Sequence, residues 1–180
     1  MAKIFRKPSS IKLPQRNGEP AHDQYGQEQK GAVKCPRCGN VHFKRRWYGS
    51  LGDVPTRQKG DAVRRESPKI TKRELCPACK IANEHLFEGE LTVEKVPAKY
   101  RVELLRLLRN LGVRARKKDP QDRIIAIERK PGNYRVTTTE NQLAVRMAKK
   151  IKEVFAPVDL KISFSRDPYK TARATIVFPR

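Results

Sequence analysis

Two Cys-x-x-Cys pairs constrain what this chain can fold into more than any other feature of its sequence. The first pair lies in CPRCG at positions 35–39, and the second lies in CPAC at positions 76–79. A Cys-Pro-x-Cys turn brings two thiolates to one centre, and two facing turns supply the closed four-thiolate tetrahedron of a structural zinc site. The predicted ligands of one structural zinc ion are Cys35, Cys38, Cys76 and Cys79.

The spacing of the pairs leaves other chemistries open. The 37 residues between Cys38 and Cys76 exceed the interval of about 15–20 residues that is common in paired zinc motifs. Because the entropy of closing a loop rises slowly with its length, one shared site remains compatible with this interval. Iron uses the same ligands, and either pair alone is typical of a redox dithiol or a disulfide. His42 and His85 lie near the two pairs and are alternative ligands.

The charge of the chain indicates a polyanionic partner. The sequence has 41 Lys and Arg against 19 Asp and Glu, which gives a formal net charge of +22. Solubility of a small domain seldom needs a net charge above about 8, so this excess calls for another explanation. Nucleic acid is the commonest acidic partner of such a positive chain, and we therefore expect nucleic-acid binding.

The sequence has neither the long apolar run of a membrane-spanning helix nor the apolar stretch of a secretory signal. No run of about 18 apolar residues occurs, so the sequence predicts no membrane-spanning helix and no membrane partner. The first residues, MAKIFRKPSSIKLPQ, are basic but lack the apolar stretch of about 7–15 residues that a secretory signal requires. We expect a cytoplasmic protein, whose reducing surroundings favour thiolate ligands over disulfides.

The 180 residues divide into three parts. Residues 1–34 contain prolines and few large apolar side chains, which predicts a flexible basic arm. Residues 35–85 form a zinc-binding module with a long basic loop. Their apolar content is too sparse for a core, so the metal would have to supply the stability. Residues 86–180 are predicted to form an α+β domain.

The pattern of residues 86–180 gives the order strand, helix, strand, strand, helix, strand, strand. A hairpin is predicted around Pro131-Gly132-Asn133, and Gly112 is predicted to end the first helix or to lie in its last turn. Thr139 followed by Gln142 has the spacing of a capping box for the second helix. This order predicts an α+β fold with a ferredoxin-like sheet, one added edge strand, and both helices on one face.

Four segments carry a resemblance to a known family: CPRCGNVHFKRRWY, LCPACK, EGELTVE and RVTTTENQLAVRMAKKIKEVF. They resemble the nonsense-mediated-decay-three family, which comprises zinc-binding export adaptors of the large ribosomal subunit in eukaryotes, archaeal relatives, and short bacterial proteins on the same plan. The resemblance is strongest to the short form and extends from Cys35 to Phe178. It implies a four-cysteine zinc module, a small α+β domain, and binding to ribosomal RNA or to the large ribosomal subunit.

Basic residues recur in the cysteine module and in both predicted helices, which indicates an extended contact with phosphates instead of one pocket. Trp47 and Tyr48 follow such a cluster, where an aromatic ring can stack on an unpaired base. In the alternative interpretation Trp47 packs over the metal module, and the lysines of the helices are a solvated face. The candidate RNA-binding residues are Lys44, Arg45, Arg46, Trp47, Tyr48, Arg64, Arg65, Lys72, Arg73, Arg114, Arg116, Lys117, Lys118, Lys149 and Lys150.

These features predict a monomeric, non-enzymatic, zinc-containing protein that binds ribosomal RNA. It would act on a ribosomal subunit, the large one by resemblance, as an assembly, quality-control or dormancy factor or as a lineage-specific ribosomal protein. A DNA-binding zinc-ribbon transcription regulator is the alternative, although helix-turn-helix spacing and dimerisation heptads are absent. A nuclease using Asp119, Asp122 and Glu128 is a third hypothesis. The usual catalytic motifs are missing, and a closed four-thiolate site leaves no open metal position.

Overall fold

The computed structural model describes residues 31–55, 67–165 and 171–179. It is an α+β structure with one small and one larger mixed sheet, and the cysteines cluster among the N-terminal strands. The small sheet has the strand order β3-β2-β1-β4, in which β4 runs parallel to β1 and the other neighbours are antiparallel. Its strands, with the helix that follows them, are β1 (Ala32–Lys34), β2 (Val41–Phe43), β3 (Arg46–Tyr48), β4 (Ile70–Arg73) and α1 (Pro77–Asn83).

The larger sheet has the strand order β6-β7-β5-β9-β8. Only the central β5 and β9 pair in parallel, and the other neighbours are antiparallel. Its elements are β5 (Gly89–Glu94), α2 (Arg101–Lys118), β6 (Ile124–Lys130), β7 (Asn133–Thr138), α3 (Asn141–Val154), β8 (Asp159–Ser165) and β9 (Thr171–Val177). Short 3₁₀ turns occur at Leu51–Asp53 and Ala98–Tyr100.

The first strand changes one predicted boundary. The sequence predicts that Ala32 and Val33 belong to the flexible arm, but they are buried in β1, which pairs with β2 and β4. Alternation in so short a segment gave no strand signal, and tertiary pairing decides its conformation. The rest of the predicted arm, residues 1–30, lies outside the described residues.

The cysteine module has more packing than its composition predicts. Ala32, Val41 and Val54 form one small buried cluster, with the rings of Phe43 and Tyr48 against it. Three of the four cysteines form a second cluster with Ala78, against which Trp47, Leu75 and Cys38 pack. The prediction that no core forms here was therefore wrong, although each cluster is far smaller than that of the larger sheet.

One core joins the larger sheet to its two helices. On β5 the side chains of Leu91 and Val93 are fully buried, while the alternate positions are partly exposed, as expected for a strand with one covered face. Leu104 and Leu108 of α2 pack into this cluster. On α3 the sequence spaces apolar residues four apart, which predicts one apolar stripe along the helix. This stripe enters the same cluster, so both helices lie on one face of the sheet; its members are Leu143, Met147, Ile151 and Phe155.

The order of strands and helices along residues 86–180 is the predicted one, but the sheet does not confirm the ferredoxin-like arrangement. Strand β9 lies between β5 and β8 and runs parallel to β5. Strand β8 lies at the edge of the sheet and pairs antiparallel with β9. The sequence pattern identified the elements but carried no information on which strands would be neighbours.

Glycines explain two local results. The hairpin prediction is confirmed, because Lys130 pairs with Asn133 and Gly132 has a φ of 72°, a conformation in which glycine is favoured. The prediction for Gly112 was wrong, since α2 continues to Lys118. Gly112 is buried where the helix crosses β6, and a Cβ there would lie 2.7 Å from Ile124 Cδ1. It permits close helix–strand contact.

The predicted capping box is also replaced. Helix α3 begins after Glu140, whose carboxylate accepts a hydrogen bond from the backbone N–H of Leu143 at 3.1 Å. Thr139 instead donates its hydroxyl proton to the Gln121 carbonyl at 2.6 Å and accepts from the Arg123 N–H at 2.9 Å. The Thr139 hydroxyl therefore joins two distant segments of the chain instead of capping α3.

Candidate metal centre

The local chain brings each cysteine pair to a turn. Cys35 directly follows β1, and its carbonyl accepts the N–H of Gly39 at 3.0 Å, with Gly39 at a φ of 79°. Cys76 is the residue before α1, where Pro77 occupies the first helical position. Proline suits that position because its missing N–H would have no partner within the helix. The parallel pairing of β1 with β4 then places both turns at the same end of the small sheet.

The four sulfur atoms fit one metal ion. All four Sγ atoms lie within 4.8 Å of one another, and Cys38 Sγ is 3.6 Å from Cys76 Sγ. A tetrahedron with metal–sulfur distances of about 2.3 Å separates neighbouring sulfurs by about 3.8 Å. Cys35, Cys76 and Cys79 are buried, whereas Cys38 is partly exposed. The predicted four-cysteine cluster is therefore confirmed as a site suitable for a metal.

Backbone amides prepare one of these thiols for ionisation. Burial of Cys35 opposes the charged form, but the backbone N–H groups of Cys76, Cys38 and Arg37 outweigh it and lower the Cys35 pKa to about 6. The N–H of Cys76 is 3.4 Å from Cys35 Sγ. Near neutral pH, Cys35 is thus a thiolate before any metal arrives.

The second cysteine pair behaves in the opposite way. Burial raises the pKa of Cys76 to about 12, and burial also raises the pKa of Cys79. The raised values mean that both are thiols at neutral pH in the absence of a metal. A metal that binds all four sulfurs has to displace their protons.

Arg123 lies against the sulfur cluster, although no sequence pattern pointed to it. Its Nη2 is 3.2 Å from Cys38 Sγ and 3.6 Å from Cys76 Sγ, and its Nη1 is 3.5 Å from Cys79 Sγ. Burial disfavours the charged guanidinium, but the hydrogen bond to Cys38 and the nearby sulfurs outweigh this and raise the Arg123 pKa. A permanent positive charge therefore faces three of the four ligands.

Arg123 belongs to a segment that connects the cysteine module with the larger sheet. We call residues 119–123 the bridging loop. The Asn40 side-chain amide donates to the Pro120 carbonyl at 3.2 Å, and the Ala78 N–H donates to Gln121 Oε1 at 3.0 Å. Arg123 Nε also donates to the Pro120 carbonyl, at 2.9 Å. With the contacts of Thr139, the loop is fixed to the module on one side and to the larger sheet on the other.

The acids of the nuclease hypothesis are engaged elsewhere. Asp119 accepts from the Gln121 N–H at 2.8 Å, Asp122 pairs with Arg146 at 2.8 Å, and Glu128 pairs with Arg135 at 3.3 Å. Within the described ranges, the four cysteines are the one group of His, Cys, Asp and Glu side chains arranged to hold a metal.

The histidine and tryptophan near the cysteines have structural contacts. His42 is buried on β2, where burial lowers its pKa, and its ring centroid is 5.1 Å from that of Trp47. Trp47 in turn packs against the cysteine cluster, which favours the interpretation that it covers the module. His85 is exposed after α1 at a φ of 55°. Neither histidine belongs to the four-sulfur group.

The candidate RNA-binding residues form two compact groups and several separate ones. Lys44 and Arg45 make the turn between β2 and β3, and Arg46 follows them, exposed. The last turns of α2 expose a second group. Lys72 pairs with Glu74 at 2.9 Å, and Lys150 pairs with Glu153 at 2.7 Å. The second group consists of Arg114, Arg116, Lys117 and Lys118. Arg73 and Lys149 are exposed on other elements, and Arg64 and Arg65 lie outside the described residues.

The opposite pKa shifts predict how many protons a metal releases. Near pH 7.5, we expect binding of one zinc ion to the reduced protein to release at least two protons, from Cys76 and Cys79. Lowering the pH through about 6 protonates Cys35 as well, so the number should rise by roughly three quarters of a proton near pH 5.5. Calorimetry in buffers of different ionisation enthalpy measures the protons. Release that falls as the pH is lowered would contradict the assignment.

Comparisons with known proteins do not identify a family. No protein-family model matches the chain, and no curated protein matches it significantly. Across the described residues, no helix has the length and apolar character needed to cross a membrane. The resemblance to the nonsense-mediated-decay-three family therefore rests on the quoted segments and stays a prediction. What the structure establishes is a four-cysteine cluster suitable for a metal, together with an α+β fold.

Proposed function

We propose that this protein is a non-enzymatic, zinc-containing RNA-binding protein that docks on a ribosomal subunit through ribosomal RNA. The observation that carries the proposal is the turn Lys44-Arg45, an exposed basic tip on a hairpin that packs against the metal site. The net charge of +22 supports a polyanionic partner for that tip.

The metal in this proposal is zinc, held by Cys35, Cys38, Cys76 and Cys79. Zinc has no redox chemistry and accepts a closed tetrahedron of thiolates, so it supplies folding stability to the module. A divalent ion with four thiolates leaves two negative charges, and the guanidinium of Arg123 offsets one of them. Iron is the competing ion for the same ligands, and metal analysis of protein purified from cells without added metal distinguishes the two.

The backbone of the hairpin tip supports a role for its charges. Lys44 has a φ of 45° and Arg45 a φ of 66°, and the two-residue turn with Phe43 opposite Arg46 requires this left-handed conformation. Asn-Gly is the favoured sequence for such a turn, and each other residue costs about 1–2 kcal/mol there. Two long cations kept at a position that disfavours them fit a site where the cations bind something.

The finer parts of the proposal have different grounds. The resemblance favours the large subunit as the partner, and the order of strands and helices favours a ferredoxin-like relation for the α+β domain. We further propose that the protein acts as a monomer in the cytoplasm. The role would be that of an assembly, quality-control or dormancy factor, or of a lineage-specific ribosomal protein. The basic segment of residues 1–30, which precedes β1, would follow the RNA surface, in keeping with its composition.

Sedimentation tests the proposal directly. Tagged protein in native lysate should co-migrate with one ribosomal subunit through a sucrose gradient, and the association should persist from low to moderately raised salt. Migration only at the top of the gradient would reject ribosome docking. Competition of purified protein between structured RNA and duplex DNA of equal length then separates the proposal from a DNA-binding regulator, which would prefer the DNA.

A further inference from the structure

Helix α2 carries an exposed stripe of which only the last member, Arg116, is among the RNA-binding residues predicted from the sequence. Successive members are three or four residues apart, so they share one helix face. Val102 and Val113 are 71% and 67% exposed, which is high for valine, and the other members are arginines. Among the described residues, none of these arginines has an ion-pair partner. The stripe consists of Val102, Arg106, Arg109, Val113 and Arg116.

The stripe borders a groove between α2 and β6, an edge strand of the larger sheet. The groove has a volume of about 440 Å³. Its walls alternate cations with apolar side chains: Arg109, Val113 and Arg116 from the helix, and Arg123, Ile124 and Ile127 from the facing segment. Gly112 keeps helix and strand close at the bottom of the groove, because it leaves room for the Ile124 side chain.

This chemistry suits a short single strand of RNA. Arginines bind phosphates, and apolar side chains and guanidinium planes contact the faces of unpaired bases. A duplex keeps its base faces stacked inside and would offer the groove phosphates, 2′-hydroxyls and base edges instead. Arg109 and Arg116 are seven positions apart on the helix and so about 10 Å apart along its axis, which matches the backbone of roughly three nucleotides.

We propose that the groove between α2 and β6 is a binding site for single-stranded RNA. This proposal rests on the proposed function and names a surface that the hairpin tip does not include. Arg123 links the two regions, because its guanidinium contacts the cysteine sulfurs and also lines the groove. The metal site thereby positions one wall of the RNA-binding groove.

The test compares two charge-matched double variants. Arg109→Ala with Arg116→Ala removes both helix arginines of the groove, whereas Lys152→Ala with Lys161→Ala removes two exposed cations on α3 and β8. The probes are a labelled 12-nucleotide oligouridine and an RNA duplex of the same length, measured by fluorescence anisotropy at several salt concentrations. Gln in place of both groove arginines is a second variant that retains most of each side chain, in case the alanines disturb folding.

We expect the groove variant to bind oligouridine about tenfold or more weakly, with a salt slope smaller by about 1.4 for two phosphate contacts. The lysine control should lose clearly less affinity and should keep the preference for single strands. Val113→Ser should weaken oligouridine binding without changing the slope, while Val154→Ser, a matched exposed valine on α3, should not.

Three results would overturn the inference. Equal losses in the groove and control variants, with strong binding by the parent protein, would leave the proposed function intact and remove the groove from it. Absence of any RNA binding by the parent protein would reject both together. If the groove variant binds oligouridine normally but no longer co-sediments with ribosomes, the groove would be assigned to an acidic protein partner instead of to single-stranded RNA.

Discussion

Cys76→Ser is expected to abolish metal binding and to unfold the cysteine module. Structural zinc in small peptides contributes an apparent binding free energy of about 10–16 kcal/mol, which is as large as the whole stability of a typical domain. The two small apolar clusters of the module offer little to replace it. Mass spectrometry measures the loss of metal. The protection of amides from hydrogen exchange measures the unfolding of the module separately.

The contacts of the bridging loop define how far this damage should spread. Sequence reasoning alone predicts that the α+β domain is spared, but Gln121 and Arg123 take hydrogen bonds from the module or donate to it. We therefore expect protection to fall in strands β1 to β4 and in the bridging loop. Protection should persist in β5, β7 and α3, whose core contains no residue of the module.

The matched control for this prediction is Arg37→Ser. Arg37 lies between two cysteines, is exposed, and retains its backbone N–H after the substitution. It should keep the metal and the protection pattern. Retained metal in Cys76→Ser would show that this sulfur is not a ligand, and loss of protection throughout the larger sheet would show that the two parts fold as one unit.

The second large effect is expected from Lys44→Asn combined with Arg45→Gly. Because both positions are left-handed, Asn-Gly should raise the free energy of unfolding by about 1–2 kcal/mol or more. The same change removes two phosphate-binding cations, so affinity for RNA and ribosomes should fall. Stability and binding thus change in opposite directions, which loss of structure does not produce. Thermal unfolding and anisotropy measure the two quantities.

The Lys152→Ala and Lys161→Ala variant serves as the control here too, since it loses the same charge without a change of turn. A more stable Asn-Gly protein with unchanged affinity for RNA would refute the role of the hairpin tip. A less stable one would contradict the turn geometry. The salt dependence adds a further check, because each lost single-strand phosphate contact lowers the slope by about 0.7.

The parts that the sequence predicted are those encoded by neighbouring residues. Each Cys-Pro-x-Cys turn is local, as are the Pro131-Gly132 hairpin and the apolar spacing of α3, and each occurs as expected. Arg123 escaped prediction because 43 residues separate it from the nearest cysteine in the sequence, and the long-range hydrogen bonds of the bridging loop bring it to the sulfurs. The same long-range contacts moved Thr139 from its predicted capping role to the bridging loop.

The strand order of the larger sheet also determines when its centre can close during translation. Strand β9 is the last described element to be made, yet it lies beside the central β5 and packs beneath α3. The cysteine module precedes it by about 90 residues and needs none of its contacts. While the chain is being translated, metal binding can therefore be complete while β5 still presents an open edge. The centre of the sheet closes only when residues 171–177 have left the ribosome.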